Sequence, residues 1–128
     1  MDFVTFEIAN KLKEKGFPQH WSDQHYILEN EYEDDFFEAG AKYPVEVIYD
    51  YIPTIAAPTI SQVLKWLREE KEVDLVIEPI FCYDKNIHRE YGVRVFAPSL
   101  NKPVHCGYFN MWEQAAIAGI EYVLDNLI

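Results

Sequence analysis

Apolar residues recur along this chain in two rhythms, one helical and one extended. Near the N-terminus Ile8, Ala9 and Leu12 share one side of a helix, with Lys11, Lys13, Glu14 and Lys15 on the other. Thr5 is a good N-cap, so the spacing predicts a helix over residues 6–15. Gly16 suits the left-handed position after the helix, Phe17 can then touch Leu12, and Pro18 blocks continuation. Thr59 and Gln62 form the sequence signature of a capping box. Behind it Ile60, Val63, Leu64 and Leu67 make a buried face with Trp66 at its border. No glycine stops this second helix, so its last turn is expected to fray near Lys71. In a third helix, with Asn110 as N-cap and Glu113 at N3, Ala116, Ile117, Ile120, Val123, Leu124 and Leu127 line one face. Ala115 and Gly119, one turn apart, form a small-residue strip that permits close approach of a neighbour.

Between the helices the period shortens to two. Val45, Val47, Tyr49 and Tyr51 alternate with Glu46, Ile48, Asp50 and Ile52, a half-buried strand bounded by Pro44 and Pro53. His25, Tyr26, Ile27 and Leu28 make a shorter candidate, and residues 53–58 read as an apolar connection. Three further strands are expected over residues 75–81, 90–96 and 104–109. Pro79 places the second half of the first of these on an edge or a bulge. Short, turn-rich links between consecutive strands favour an antiparallel meander. The expectation is therefore one α+β domain over residues 1–128, with a mainly antiparallel three- to four-stranded sheet flanked by three helices. Helices two and three would cover one sheet face.

Three blocks carry a family resemblance: residues 4–17 (VTFEIANKLKEKGF), residues 57–70 (APTISQVLKWLREE) and residues 112–121 (WEQAAIAGIE) with the terminal Leu127-Ile128. Together they resemble a family of small uncharacterised proteins encoded in phages and prophage-like regions of gut Bacteroidetes. The resemblance covers about a third of the chain, with its middle block the more specific. It implies a cytoplasmic protein of a mobile element and supplies no activity.

Composition changes the picture in two ways. Eight Phe, nine Tyr and three Trp in 128 residues exceed what a small core needs, so some rings belong at a surface or interface. The net charge of −11 is concentrated: residues 16–64 hold nine acids against one base, Lys42, and so carry −8 of it. Such a field repels phosphate backbones and disfavours direct nucleic-acid binding, even with Arg89, Arg94 and Lys102 near aromatic residues. No apolar run after Met1 reads as a signal peptide and none approaches a membrane span. The expected setting is a reducing cytoplasm, with free thiols at Cys82 and Cys106.

Candidate chemistry is sparse. Cys82, His88, His105 and Cys106 are zinc-type ligands at the wrong spacing, and His105 and Cys106 should point to opposite faces of a strand. Cys106 reads as a small buried hydrophobe, and Cys82 as the more exposed thiol. Five scattered glycines build no phosphate-cradling loop, and no calcium-loop spacing occurs. No metal, cofactor or catalytic residue is expected.

Two functional expectations follow. The first is a small, acidic, non-enzymatic interaction protein that binds a basic host partner; in its sharper form the acids from Glu29 to Glu38, with Glu31, Glu33, Asp34 and Asp35 as contact residues, mimic nucleic-acid phosphates. The alternative is a small enzyme or ligand-binding protein with a site on the open sheet face, built from Tyr91, Arg94 and His105. Homodimerisation through Trp66 or Trp112 is compatible with both.

Overall fold

The computed structural model describes residues 2–28, 44–46, 53–82 and 88–128, apart from the side chains of Cys82 and His88. Glu31, Glu33, Asp34 and Asp35 lie outside the described residues, as do residues 47–52 of the strand expected between Pro44 and Pro53. The class is α+β, with three α-helices among the described residues and antiparallel pairing throughout the described strands. Those strands divide into two three-stranded sheets rather than forming one. The chain separates into two compact units, Met1–Gln62 and Val63–Ile128.

In the first unit α1 spans Phe6–Glu14, and the Thr5 hydroxyl accepts the Ile8 N–H at 3.3 Å. Its far end is a complete Schellman motif. Gly16, at φ 91°, donates to the Lys13 carbonyl, and Phe17 donates to the Leu12 carbonyl at 2.9 Å. A short 3₁₀ turn, Gln19–Trp21, leads into β1, Gln24–Ile27. β1 is central, flanked by β2, Val45–Glu46, and β3, Thr54–Ala56. β3 lies where the sequence pattern predicts an apolar connection. Ile55, Ala56 and Ala57 are all buried, and a strand buried on both faces shows no alternation to detect.

These strands are short, and polar side chains supplement their ladders. The Tyr26 hydroxyl donates to the Val4 carbonyl at 2.6 Å. Gln19 Oε1 accepts the Ala56 N–H at 2.7 Å. The buried Ser22 hydroxyl lies 3.0 Å from the Ala57 carbonyl and 2.9 Å from that of Gln24, so its single proton is shared between them. His25 sits between the Ser22 carbonyl and the Thr54 hydroxyl, each at 3.0 Å. The carbonyl can only accept, so Nε2 carries a proton, and in the neutral ring Nδ1 accepts from Thr54.

The capping box forms as the sequence indicates. Thr59 N–H donates to Gln62 Oε1 at 2.9 Å, and Gln62 N–H to Thr59 Oγ1 at 3.2 Å. The Gln62 amide also donates to the Trp21 carbonyl at 2.8 Å, which ties the start of α2, Ile60–Glu70, to the 3₁₀ turn. The buried face of α2 is rotated from the expected one: Trp66 is buried, and Leu64 only partly so. Nor does the helix simply fray. Glu72 takes the left-handed conformation (φ 56°) usually given to glycine, and Val73 N–H returns to the Leu67 carbonyl at 3.0 Å.

The second unit contains the meander β4 (Asp74–Cys82), β5 (His88–Phe96) and β6 (Val104–Phe109), followed by α3, Trp112–Asn126. Pro79 falls on β4, an edge strand, where the missing N–H costs no ladder bond on the open side. The N-cap of α3 is Met111, with no side-chain bond, rather than Asn110; β6 runs to Phe109 and leaves Asn110 outside the helix. α3 lies on the sheet and contacts all three strands. At Gly119 the helix approaches the sheet closely. A Cβ there would stand 2.5 Å from Leu75 Cδ2 and 2.9 Å from Val93 Cγ2, so the small-residue strip is a packing requirement.

Candidate functional site

Strand parity and register fix which residues share the sheet face away from α3. Leu75 and Val93 meet Gly119 and so face the helix, with their partners and every second residue, including Tyr91. Val76, Glu78 and Ile80 of β4 and Gly92, Arg94 and Phe96 of β5 therefore face the other way. A register shift between Gly92 and Arg94 sets Tyr108 opposite Gly92 and His105 opposite Arg94 on that same face.

Arg94 and His105 are thus brought together as the sequence expectation requires, whereas Tyr91 lies on the opposite face. Pleating alone separates Tyr91 from Arg94, because an odd offset along a regular strand changes face. The polar groups of the open face are already engaged. Arg94 is ion-paired with Glu78, and its guanidinium carbon stands 5.4 Å from the Phe96 ring centroid. His105 Nδ1 accepts the Gly107 N–H at 3.2 Å, and its ring lies against Tyr108 with centroids 4.6 Å apart. Ile80, His105 and Tyr108 close over Gly92, each within 3.4 Å of where a Cβ would stand. Cross-strand aromatic cover of a strand glycine is a structural arrangement in its own right.

A second location has the opposite character. Asp74 at the start of β4 pairs in register with Phe96 at the end of β5. Beyond Phe96 the chain turns through Ala97–Leu100, closed by the Leu100 N–H on the Ala97 carbonyl at 3.0 Å, with Pro98 pre-setting the first corner. Asp74, Phe96, Ala97, Pro98 and Leu100, with Glu72, Asn101, Lys102 and Pro103, line a cleft of about 350 Å³. That volume is within the usual range for small-ligand pockets. Among the described residues, Glu72, Asp74, Asn101 and Lys102 make no side-chain hydrogen bond or ion pair. Four polar side chains therefore surround the cleft uncommitted, over an apolar lining of Phe96, Leu100 and the two prolines.

No motif or periodicity in the sequence marks this cleft. Its signals were the missing glycine after α2, which hands the left-handed position to a glutamate, and the proline-bracketed connection before β6. Neither reveals that the two segments meet.

The described cysteine, Cys106, is half-buried, and burial pushes its thiol pKa up, away from nucleophilic thiolate character. Among the described residues no three His, Cys, Asp or Glu side chains gather as a metal site. No described helix is long and apolar enough to cross a membrane. Comparison with protein-family models, curated proteins and solved structures gives no significant match to this chain.

Proposed function

We propose that the chain is a small, acidic, non-enzymatic interaction protein of a phage or mobile element that binds a basic host protein. The observation that carries this reading is the charge distribution, with −8 of the net −11 held between residues 16 and 64. An acidic surface accelerates encounter with a basic partner and selects against nucleic acid. Glu31, Glu33, Asp34 and Asp35 are the proposed contact residues, and the cytoplasm is the proposed setting. An enzymatic or ligand-binding site built from Tyr91, Arg94 and His105 has less support, since the three do not share a face and Arg94 is already paired with Glu78.

The test is capture of host proteins at two salt concentrations by the wild-type chain and by the E31Q/E33Q/D34N/D35N variant. The expected result is a basic protein retained at low salt by the wild type, released at high salt and lost by the variant. Identical retention by both chains would sink this reading.

A further inference from the structure

The geometry points to the cleft between the end of α2 and the β5–β6 connection as the receptor for a lysine or arginine side chain presented by a basic protein. This inference rests on the reading of the chain as a binder of basic partners, and adds where one cationic anchor enters.

Three observations converge on that occupant. The first is shape: about 350 Å³ accommodates a long side chain, and the walls are the ends of two paired strands and a turn stiffened by Pro98. The second is composition: Leu100 and Phe96 offer apolar surface to an aliphatic stem, while Glu72 and Asp74 offer carboxylates to its charged tip. The third is availability: both carboxylates are exposed and neither is engaged by a described side chain, in contrast to Glu78, which is held by Arg94. Two acids against the single Lys102 leave the cleft net negative inside a strongly acidic protein, so a cation is the favoured guest. The Asn101 amide supplies an additional neutral acceptor at the rim.

The inference makes a signed prediction. Hexalysine titrated into isotopically labelled full-length protein should shift the backbone amides of Phe96, Asn101 and Lys102 in NMR spectra. Asp74→Asn should weaken this binding about fivefold, because it removes one of the two negative charges lining the cleft, while Lys102→Gln should tighten it about twofold. Glu121→Gln removes the same charge from an exposed position on α3 and should change the affinity by less than about half as much. Glu72→Gly is the control for folding: it restores the residue usually found at a left-handed helix end, so the melting temperature should hold or rise while hexalysine binding falls.

Hexalysine that binds wild type and Asp74→Asn equally would overturn the cleft and leave the wider reading standing. Hexalysine that binds neither at low salt would overturn both. Cadaverine saturating the same amides at the same concentration as hexalysine would also overturn the inference, by assigning the cleft to free amines rather than a protein-borne side chain.

Discussion

The two units solve the same problem with different materials. In the first, the strands have four, two and three residues, and polar side chains do much of the joining. Gln19, Ser22, Tyr26 and Gln62 each reach a backbone group that the ladder does not satisfy. In the second, β4 and β5 pair over nine residues, and a fifteen-residue helix closes on them through Gly119. Long ladders satisfy their own backbone, which leaves polar side chains free for other uses. Among the described residues, Gln19, Ser22, Tyr26 and Gln62 of the first unit are thus spent on structure, whereas Glu72, Asp74, Asn101 and Lys102 of the second remain uncommitted.

The comparison can be tested at its extremes. The largest effect is expected at Gly119. Gly119→Val drives a branched side chain into Leu75 and Val93, and urea unfolding should show a loss of about 3 kcal/mol, at the upper end of overpacking costs. A loss under about 1 kcal/mol would mean that the helix can retreat from the sheet.

In the first unit, Gln62→Ala removes both the cap to Thr59 and the tie to Trp21, and should cost about 2 kcal/mol, whereas Thr59→Ala should cost about 1 kcal/mol. Equal losses would remove the structural role assigned to the Trp21 tie.

Tyr26→Phe should cost about 1 kcal/mol at neutral pH and change the alkaline limb of the stability profile. Burial raises the Tyr26 pKa above its ordinary value near 10. The folded state therefore holds the phenolic proton more tightly than the unfolded state. This contribution is complete below pH 10 and is lost as pH climbs from there through the folded value. Thermal melts between pH 9 and 11 should steepen in the wild type relative to Tyr26→Phe, and parallel profiles would contradict the burial argument.

The smallest effect belongs to the exposed Arg94–Glu78 pair. Glu78→Gln should change stability by less than about 0.5 kcal/mol, because both side chains are more than 40 % exposed and solvent screens them. A loss several times larger would make the open face a structural network rather than a surface pair.

Both ends of α1 and the start of α2 could be read from local chemistry. Thr5 and Gly16 bound α1, and Thr59 and Gln62 open α2, because capping is satisfied within a few residues of the cap itself. The meander was legible for a similar reason: alternation and short links are local properties. What failed was β3, whose apolar residues carry no period, and the N-cap of α3, where β6 determines which residue lies outside the helix. The candidate site fared worse. Parity already separates Tyr91 from Arg94, yet grouping Arg94 with His105 depends on the β5–β6 register and its shift.

By itself, then, the sequence determined both ends of α1, the start of α2, strand periodicity, the antiparallel α+β class and the acidic field, since each depends on neighbouring residues or on a sum over the chain. Only the tertiary structure decided that the strands form two sheets, that Trp66 is buried and that Gly119 is a contact point. It also decided that Glu72 and Asp74 share a cleft with Lys102. Those facts depend on which distant segments meet, and contacts between residues 30 apart leave no periodic trace in either segment.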